Sequence, residues 1–186
     1  MGFWTIENSK WAYRLDFALY AVAVVALGLL LVLRTPEGLQ WLVLAYTATG
    51  LFIWSGVEYV LHRFVLHGMQ PFTRWHEAHH ERPAALICSS TFLSAGLILL
   101  LVFLPAWLAL EVWRASALTL GVVGGYVMYA ATHHALHHWR VPGRWMQQRK
   151  LWHARHHHHH SEHAVCFGVT HAVWDRVFGT AYPKEK

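Results

Sequence analysis

Four stretches of this chain are dominated by apolar residues and contain neither a charged residue nor a histidine. They cover residues 17–33, 39–57, 86–110 and 115–132. A transmembrane helix needs about 20 predominantly apolar residues, with shorter runs tolerated. Each run therefore predicts a membrane-spanning helix, although the first is of marginal length. The turn at residues 34–38 and the polar break at residues 111–114 divide the four helices into two hairpins.

The charges outside these runs predict the orientation in the membrane. Two of the fifteen Lys and Arg residues, Arg34 and Arg114, lie in the hairpin loops, which leaves thirteen on the opposite side. Positive-inside reasoning makes that opposite side cytoplasmic. Pro105 is expected to kink the third helix or end it early. An alternative topology treats residues 84–110 as a re-entrant pair of half-helices and leaves the orientation unchanged.

The composition favours one integral membrane domain covering residues 1–186. The chain is 55% hydrophobic and 13% charged, and its 11 Trp and 7 Tyr residues suit interfacial aromatic belts. The net charge of +5 does not indicate nucleic-acid binding, because no basic stripe with interleaved aromatic residues is present. Cys88 and Cys166 show no C-x-x-C spacing, and a thiolate ligand at Cys166 is disfavoured beside so many imidazoles.

All seventeen histidines lie at or after His62, on the predicted cytoplasmic side. The sequence thus predicts an all-α integral membrane protein with four transmembrane helices and a cytoplasmic, histidine-rich helical cap formed by residues 62–83 and 133–186. Imidazole is the commonest side chain that holds a transition metal. This concentration of histidines predicts a metal centre at the boundary between membrane and water.

The spacing of the histidines is helical in three of four groups. His76, His79 and His80, like His153, His156 and His157, stand at i, i+3 and i+4 and would share one helix face. His62 and His67 are five residues apart, a poor α-helical repeat, so the second helix is expected to fray or bend before Gly68. The fourth group is one of two equivalent pairs, and spacing alone does not choose between them: His133 with His137, or His134 with His138.

The number of histidines indicates the kind of metal. Ten imidazoles are too many for one ion and suit two ions with five ligands each. Structural zinc normally closes at four ligands, whereas an all-nitrogen centre with a position left for dioxygen describes redox iron better. The run 156–160 could alternatively be a purification tag or a low-specificity metal store, but a tag does not explain the three earlier groups. Five further histidines have no assigned role: His158, His159, His160, His163 and His171.

With these motifs in view, the chain resembles the fatty acid hydroxylase and sterol desaturase superfamily of membrane di-iron enzymes, and most closely the fatty acid 2-hydroxylases. The resemblance covers roughly residues 55–182. It rests on Glu58-Tyr59 through His62 to His67, on His76-Glu77-Ala78-His79-His80, on Gly125-Tyr126 through Thr132-His133 to His137, on His153-Ala154-Arg155-His156-His157, and on Phe167-Gly168-Val169-Thr170 through Trp174-Asp175 to Thr180.

The resemblance implies a set of metal ligands. It selects His133 and His137, because the family's histidine preceded by threonine or cysteine aligns with His133. The implied ligands are His62, His67, His76, His79, His80, His133, His137, His153, His156 and His157. This chain departs from the family in the shorter segment between His67 and His76, in having His158 where the family has tyrosine, and in having no preceding cytochrome b5-like domain.

The implied activity is oxygen-dependent hydroxylation of a membrane lipid by two iron ions, with dioxygen as co-substrate. Zinc can replace the iron in a purified sample. A fatty acyl chain hydroxylated next to its carboxyl group is the favoured substrate. A desaturase or a sterol- or carotenoid-directed oxygenase is the alternative. A non-enzymatic membrane metal-binding or transport protein is a distant third, because the spans lack the ionisable residues of a transport pathway.

The reductant is expected to be a separate ferredoxin, cytochrome or flavoprotein reductase. The small size of the chain favours a bacterial inner membrane over the endoplasmic reticulum. Metal-bound histidines usually donate a hydrogen bond from their second ring nitrogen to an acceptor. The candidates for such contacts with the ligand histidines are Glu58, Asp175, His134 and His138. The candidates for lining the substrate channel are Trp54, Tyr59, Tyr126 and Tyr129, for which ordinary helix packing or interfacial anchoring is the competing interpretation.

Overall fold

The computed structural model describes residues 7–87, 90–140, 142–158 and 165–182. These residues are mostly helical, as predicted, and contain no strand beyond an isolated antiparallel bridge between Glu7 and Ile87. The helices are α1 (Lys10–Arg34), α2 (Gln40–Val60), α3 (Phe72–Glu81), α4 (Thr91–Ile98), α5 (Leu104–Ala109), α6 (Val112–His138), α7 (Arg144–His158) and α8 (Val173–Val177), with π-helical segments at Leu61–Leu66 and Leu99–Phe103.

Within the described residues, three helical stretches are long and apolar enough to cross a membrane: Lys10–Arg34, Thr91–Ala109 and Val112–His138. Helix α2 is not among them. Many large apolar side chains are exposed on these helices, among them Val32 (81%) and Leu108 (79%). Contiguous exposed apolar surface of this kind suits contact with lipid.

The helices extend beyond the charge-free runs that predicted them. Helix α1 begins seven positions before the first run, and the Ser9 side chain caps it by accepting a hydrogen bond from Ala12 N (3.2 Å). Its added turns contain Asp16, which is buried and accepts a hydrogen bond from the Thr91 hydroxyl (2.5 Å). A charge thus sits inside this helix because a partner satisfies it.

Of the kink or early end expected at Pro105, the early end does not occur. Helical structure runs without a non-helical break from Thr91 to Ala109, which also argues against the alternative of two half-helices within this stretch. A proline in a helix removes one backbone hydrogen bond and crowds the preceding turn. The π-helical segment Leu99–Phe103, which ends two residues before the proline, supplies a wider turn in the part of the helix that the proline crowds.

The chain divides into two compact units. The first comprises Met1–Ser55 and Leu86–Val127, and the second comprises Gly56–Ala85 and Met128–Lys186. In the first unit, α2 and α6 approach so closely that a Cβ at Gly50 would lie 2.1 Å from Leu118 O, and a Cβ at Gly121 would lie 2.1 Å from Thr47 O. Only glycine fits at these two positions.

The second unit contains α3, α7, α8, the last turns of α2 and α6, and the π-helical segment Leu61–Leu66. The two short helices predicted from histidine spacing are present as α3 and α7. The residues of the predicted cap belong to this unit.

Candidate metal centre

The second unit brings ten histidines together in two groups. The first histidine group consists of His62, His67, His76, His80 and His156. The second histidine group consists of His79, His133, His137, His153 and His157. Within each group, one nitrogen from every ring lies within 4.8 Å of the others. These are the ten predicted ligands, and the structure divides them five and five.

Helix geometry explains why a cluster of three histidines serves both groups. Residues four apart on an α-helix project to nearly the same side, whereas residues three apart differ by about 60°. In α3, His76 and His80 accordingly enter the first group, and His79 enters the second. Helix α7 repeats the arrangement in reverse, with His153 and His157 in the second group and His156 in the first.

A π-helical turn unites His62 with His67. Five residues of α-helix would point the two side chains about 140° apart. In the segment Leu61–Leu66 the backbone instead forms an i to i+5 turn, in which His67 N donates to His62 O (3.3 Å). The two rings lie 5.3 Å apart between centroids, both in the first histidine group. Of the fraying or bending expected before Gly68, the fraying does not occur: the helix continues as a π turn to Leu66, and a π turn matches the five-residue repeat.

The distances between imidazole nitrogens fit ligation of a metal ion. Two ligands at right angles around an ion, each about 2.1 Å from it, are about 3.0 Å apart. The Nε2–Nε2 distances are 3.0 Å for His62–His76, 3.0 Å for His76–His80, 3.1 Å for His67–His156, 2.8 Å for His137–His153 and 3.0 Å for His153–His157. Both ring nitrogens of His79 are buried, and neither has a hydrogen-bond partner among the residues that the structure describes. The donor set and its spacing fit two ions.

Burial keeps these imidazoles neutral. Desolvation, followed by the proximity of the other histidines, lowers the pKa of His62, His76, His153 and His156 well below the ordinary value. Desolvation also lowers the pKa of His67 and of His79 to about 4, and that of His80 to about 2. A neutral imidazole offers a lone pair to a metal, so these rings need not lose a proton before they bind one.

Two backbone carbonyls orient rings of the first histidine group. His62 Nδ1 lies 2.5 Å from Phe167 O, and His156 Nδ1 lies 2.9 Å from Val165 O. A carbonyl oxygen only accepts, so the Nδ1 atom of each ring is assigned as the protonated nitrogen. The Nε2 lone pair of each ring is then directed into the group. Val165 and Phe167 escaped the sequence analysis because a main-chain acceptor carries no signature in residue type.

Asp175 holds the segment that carries these carbonyls. Its carboxylate is fully buried and accepts hydrogen bonds from Phe167 N (2.9 Å) and Gly168 N (2.9 Å). The Thr180 hydroxyl donates a third hydrogen bond to it (2.8 Å). Asp175 therefore fixes the backbone on both sides of the Phe167 carbonyl.

Glu58 holds the next two residues of the same segment. Its Oε1 accepts hydrogen bonds from Val169 N (2.8 Å) and Thr170 N (2.9 Å), and its Oε2 accepts one from the Thr170 hydroxyl (2.6 Å). Glu58 and Asp175 were predicted to accept hydrogen bonds directly from metal-binding histidines. This prediction is corrected: carbonyls contact the rings, and the two carboxylates stabilise the segment that presents those carbonyls.

The remaining polar candidates lie outside both histidine groups. His134 and His138 stack on each other, with ring centroids 4.4 Å apart, and neither joins a group. The ring of His171 accepts a hydrogen bond from Val173 N at Nδ1 (3.4 Å). His158 ends α7. His159, His160 and His163 lie outside the described residues.

The four aromatic candidates make packing contacts within their own units. In the first unit, Trp54 and Tyr126 meet edge to face with centroids 5.4 Å apart. In the second unit, Tyr59 is buried, and its hydroxyl is bound to Arg63 and to the Thr180 hydroxyl. Tyr129 stacks on His133 with centroids 5.8 Å apart. A role in lining a substrate channel stays a prediction for all four.

The sequence model of the fatty acid hydroxylase family matches residues 47–180, a range that contains both histidine groups, Glu58 and Asp175. The chain belongs to the fatty acid hydroxylase family. The resemblance noted from the sequence motifs is therefore confirmed.

Relatives in this family include three named lipid hydroxylases. A ceramide very long chain fatty acid hydroxylase of Schizosaccharomyces pombe is 34% identical over 72% of this chain and 41% of its own length. A dihydroceramide fatty acyl 2-hydroxylase of Arabidopsis thaliana is 32% identical over 72% of this chain and 59% of its own length. The fatty acid 2-hydroxylase of Rattus norvegicus is 31% identical over 73% of this chain and 39% of its own length. The chain thus matches about two fifths to three fifths of each relative.

A solved structure shares the fold. It is described as full-length scs7p with only the hydroxylase domain visible. The TM-score is 0.74 at 26% identity, and the match covers 96% of this chain and 68% of the other.

Proposed function

We propose that this fatty acid hydroxylase family member is an oxygen-dependent di-iron hydroxylase. It inserts one oxygen atom into a C–H bond of a membrane lipid, most favourably at the carbon next to the carboxyl group of a fatty acyl chain. The observation that carries the proposal is the division of ten buried or half-buried histidines into two five-nitrogen groups in a chain of this family. Sequence relatives named as fatty acid 2-hydroxylases support the choice of substrate.

The first histidine group would hold one iron ion and the second would hold the other. When bound, the two ions supply the redox chemistry that lets dioxygen attack an unactivated C–H bond. The protein itself supplies neutral ligands, and the Val165 and Phe167 carbonyls fix two of them in orientation. His62 and His156 are buried, which limits the access of water on their side of the first group and so limits side reactions. Imidazoles also resist oxidation better than thiolates.

The electron balance of this reaction requires a partner. One oxygen atom of dioxygen enters the lipid as a hydroxyl group and the other leaves as water, so two electrons and two protons must be supplied. We therefore propose an external donor, a ferredoxin, a cytochrome or a flavoprotein reductase.

We also propose that the chain is an integral membrane protein with four spans, namely the three long apolar helical stretches described above and α2. In that topology, thirteen of the fifteen Lys and Arg residues lie on the side that carries the histidines, and the other two, Arg34 and Arg114, lie on the opposite side. This charge bias supports a cytoplasmic metal centre. A bacterial inner membrane is the proposed location.

The test is lipid analysis of a host that makes long-chain fatty acids and expresses the protein. We expect fatty acids heavier by one oxygen atom, with fragmentation that places the hydroxyl group beside the carboxyl group. His156→Ala should abolish the product, whereas His138→Ala should retain it, because His138 lies in neither histidine group. An unchanged lipid profile in an iron-loaded sample with a supplied reductant would overturn the proposal. Products lacking two hydrogens would also overturn it and would indicate a desaturase.

A further inference from the structure

Four consecutive backbone N–H groups, those of residues 167–170, donate to just two buried carboxylates. Asp175 accepts from the first two and Glu58 from the last two. Asp175 is 0% exposed and Glu58 is 3% exposed, so water cannot replace either acceptor. A buried donor that loses its acceptor costs about 1–3 kcal/mol, and more when the acceptor is charged. The position of residues 167–170 therefore depends on these two side chains.

The same stretch of chain presents the carbonyls that orient the first histidine group. Phe167 carries both an N–H bound to Asp175 and a C=O bound to His62. Val165 O, two residues earlier, binds His156. By contrast, in the second histidine group, both ring nitrogens of His79 and Nδ1 of His153 have no hydrogen-bond partner among the described residues. The support is thus specific to one group.

We propose that Asp175 and Glu58 are positioning residues that set the metal affinity of the first histidine group and not of the second. They act through the backbone of residues 165–170, without contacting the imidazoles. This inference rests on the proposed function in so far as the two groups bind metal ions. Loss of such an outer contact typically weakens metal binding by about 10- to 100-fold.

The hydrogen-bond chemistry predicts that the two carboxylates respond differently to amide replacement. Each oxygen of Asp175 accepts a hydrogen bond from a backbone N–H group, and a backbone N–H group cannot act as an acceptor. In Asp175→Asn the new side-chain NH₂ therefore faces one of these N–H groups, and that hydrogen bond is replaced by repulsion between two donors. In Glu58→Gln, the amide oxygen can keep both backbone N–H groups. The new amide NH₂ then faces the Thr170 hydroxyl, which can reverse from donor to acceptor. Glu58→Gln should therefore preserve far more of the affinity than Asp175→Asn.

The experiment measures Zn²⁺ binding by chelator competition on the full-length protein in detergent. Each substitution is placed in two backgrounds: His153→Ala, in which the first histidine group remains intact, and His67→Ala, in which the second remains intact. In the first background, Asp175→Asn should weaken binding by about 10- to 100-fold, and Glu58→Gln by less than about threefold. In the second background, Asp175→Asn should change binding by less than about twofold. Asp16→Asn, a buried aspartate in the first unit, serves as the control and should leave both affinities unchanged.

Equal weakening in both backgrounds would overturn the inference, because it would indicate general destabilisation. Unchanged affinity in the His153→Ala background would overturn it as well. If Asp175→Asn does not fold, Thr180→Val replaces it, because this change removes one donor to Asp175 and keeps the side-chain shape. It should weaken the first group alone, and an unchanged first group would count against the proposal. A wild-type protein that binds no Zn²⁺ refutes the proposed metal centre itself, which distinguishes that failure from failure of the positioning role.

Discussion

Replacement of Gly168 by alanine is expected to disrupt the segment that supports the first histidine group. A Cβ at this position would lie 1.9 Å from His171 O and 2.9 Å from Asp175 Oδ2. The first distance is impossible for real atoms, so the backbone must move by about 1 Å to reach even a tight contact. Such a movement pulls Gly168 N away from Asp175 Oδ2, to which it now donates at 2.9 Å.

The magnitude follows from these two effects. Overpacking of a tightly packed site typically costs about 1–3 kcal/mol. Loss of a hydrogen bond to a charged acceptor costs about 1.5–3 kcal/mol more. Gly168→Ala should therefore lower the free energy of unfolding by about 2.5–6 kcal/mol. For a chain of this size each kcal/mol shifts the melting temperature by about 2–4 °C, so a fall of at least about 5 °C is expected.

The assay is thermal unfolding of the purified protein in detergent, with Gly56→Ala as the matched control in the same unit. A Cβ at Gly56 would meet only Trp174 at an ordinary 3.7 Å. Alanine is favoured over glycine inside a helix by about 1 kcal/mol, so this control should keep or raise the melting temperature. If Gly168→Ala melts at or above the Gly56→Ala protein, the structural reasoning about residues 165–170 is wrong.

Three further predictions concern metal binding, pH and helix packing. Cys166→Ala should leave metal content unchanged, because burial raises the pKa of the Cys166 thiol to about 11 and so disfavours the ligating thiolate; a loss of metal on elemental analysis would contradict this. The metal-free protein should lose stability as the pH falls from about 6.5 towards 4. The pKa of His67 and of His79 is about 4 in the folded protein, so in this range the unfolded chain binds more protons than the folded one. Unfolding midpoints measured across this range check the sign, and a flat profile would refute it. The Gly121→Ala protein should melt about 2–12 °C below the Gly124→Ala protein, because overpacking costs about 1–3 kcal/mol at position 121 and not at position 124. Equal melting temperatures would exclude the close approach of α2 and α6 at Gly121.

Helical periodicity predicted much of the candidate site from the sequence. The i, i+3 and i+4 spacings in α3 and α7 predicted both helices and the faces that carry their histidines. Arithmetic on ten imidazoles predicted two groups of five, and the structure divides them that way. It could not assign each residue to its group, because that depends on which side of its helix faces which neighbouring element.

Other parts of the site depend on features that residue types do not reveal. The i, i+5 spacing of His62 and His67 does not fit an α-helix, so it predicts an irregular end of the second helix. The backbone adopts a π turn, which fits this spacing. The carbonyls of Val165 and Phe167 are main-chain groups that every residue possesses, so only tertiary structure identifies them as acceptors. Spacing alone does not choose between the pair His133 with His137 and the pair His134 with His138. In the structure the rings of His134 and His138 stack on each other and belong to neither group.

Because α3 and α7 each contribute histidines to both groups, the two sites share their supports. The first ion to bind would restrain both helices and so preorder rings that the second ion needs. We therefore expect loading to be cooperative, with few molecules holding a single ion at half saturation. A rotation of either helix would displace rings of both histidine groups at the same time.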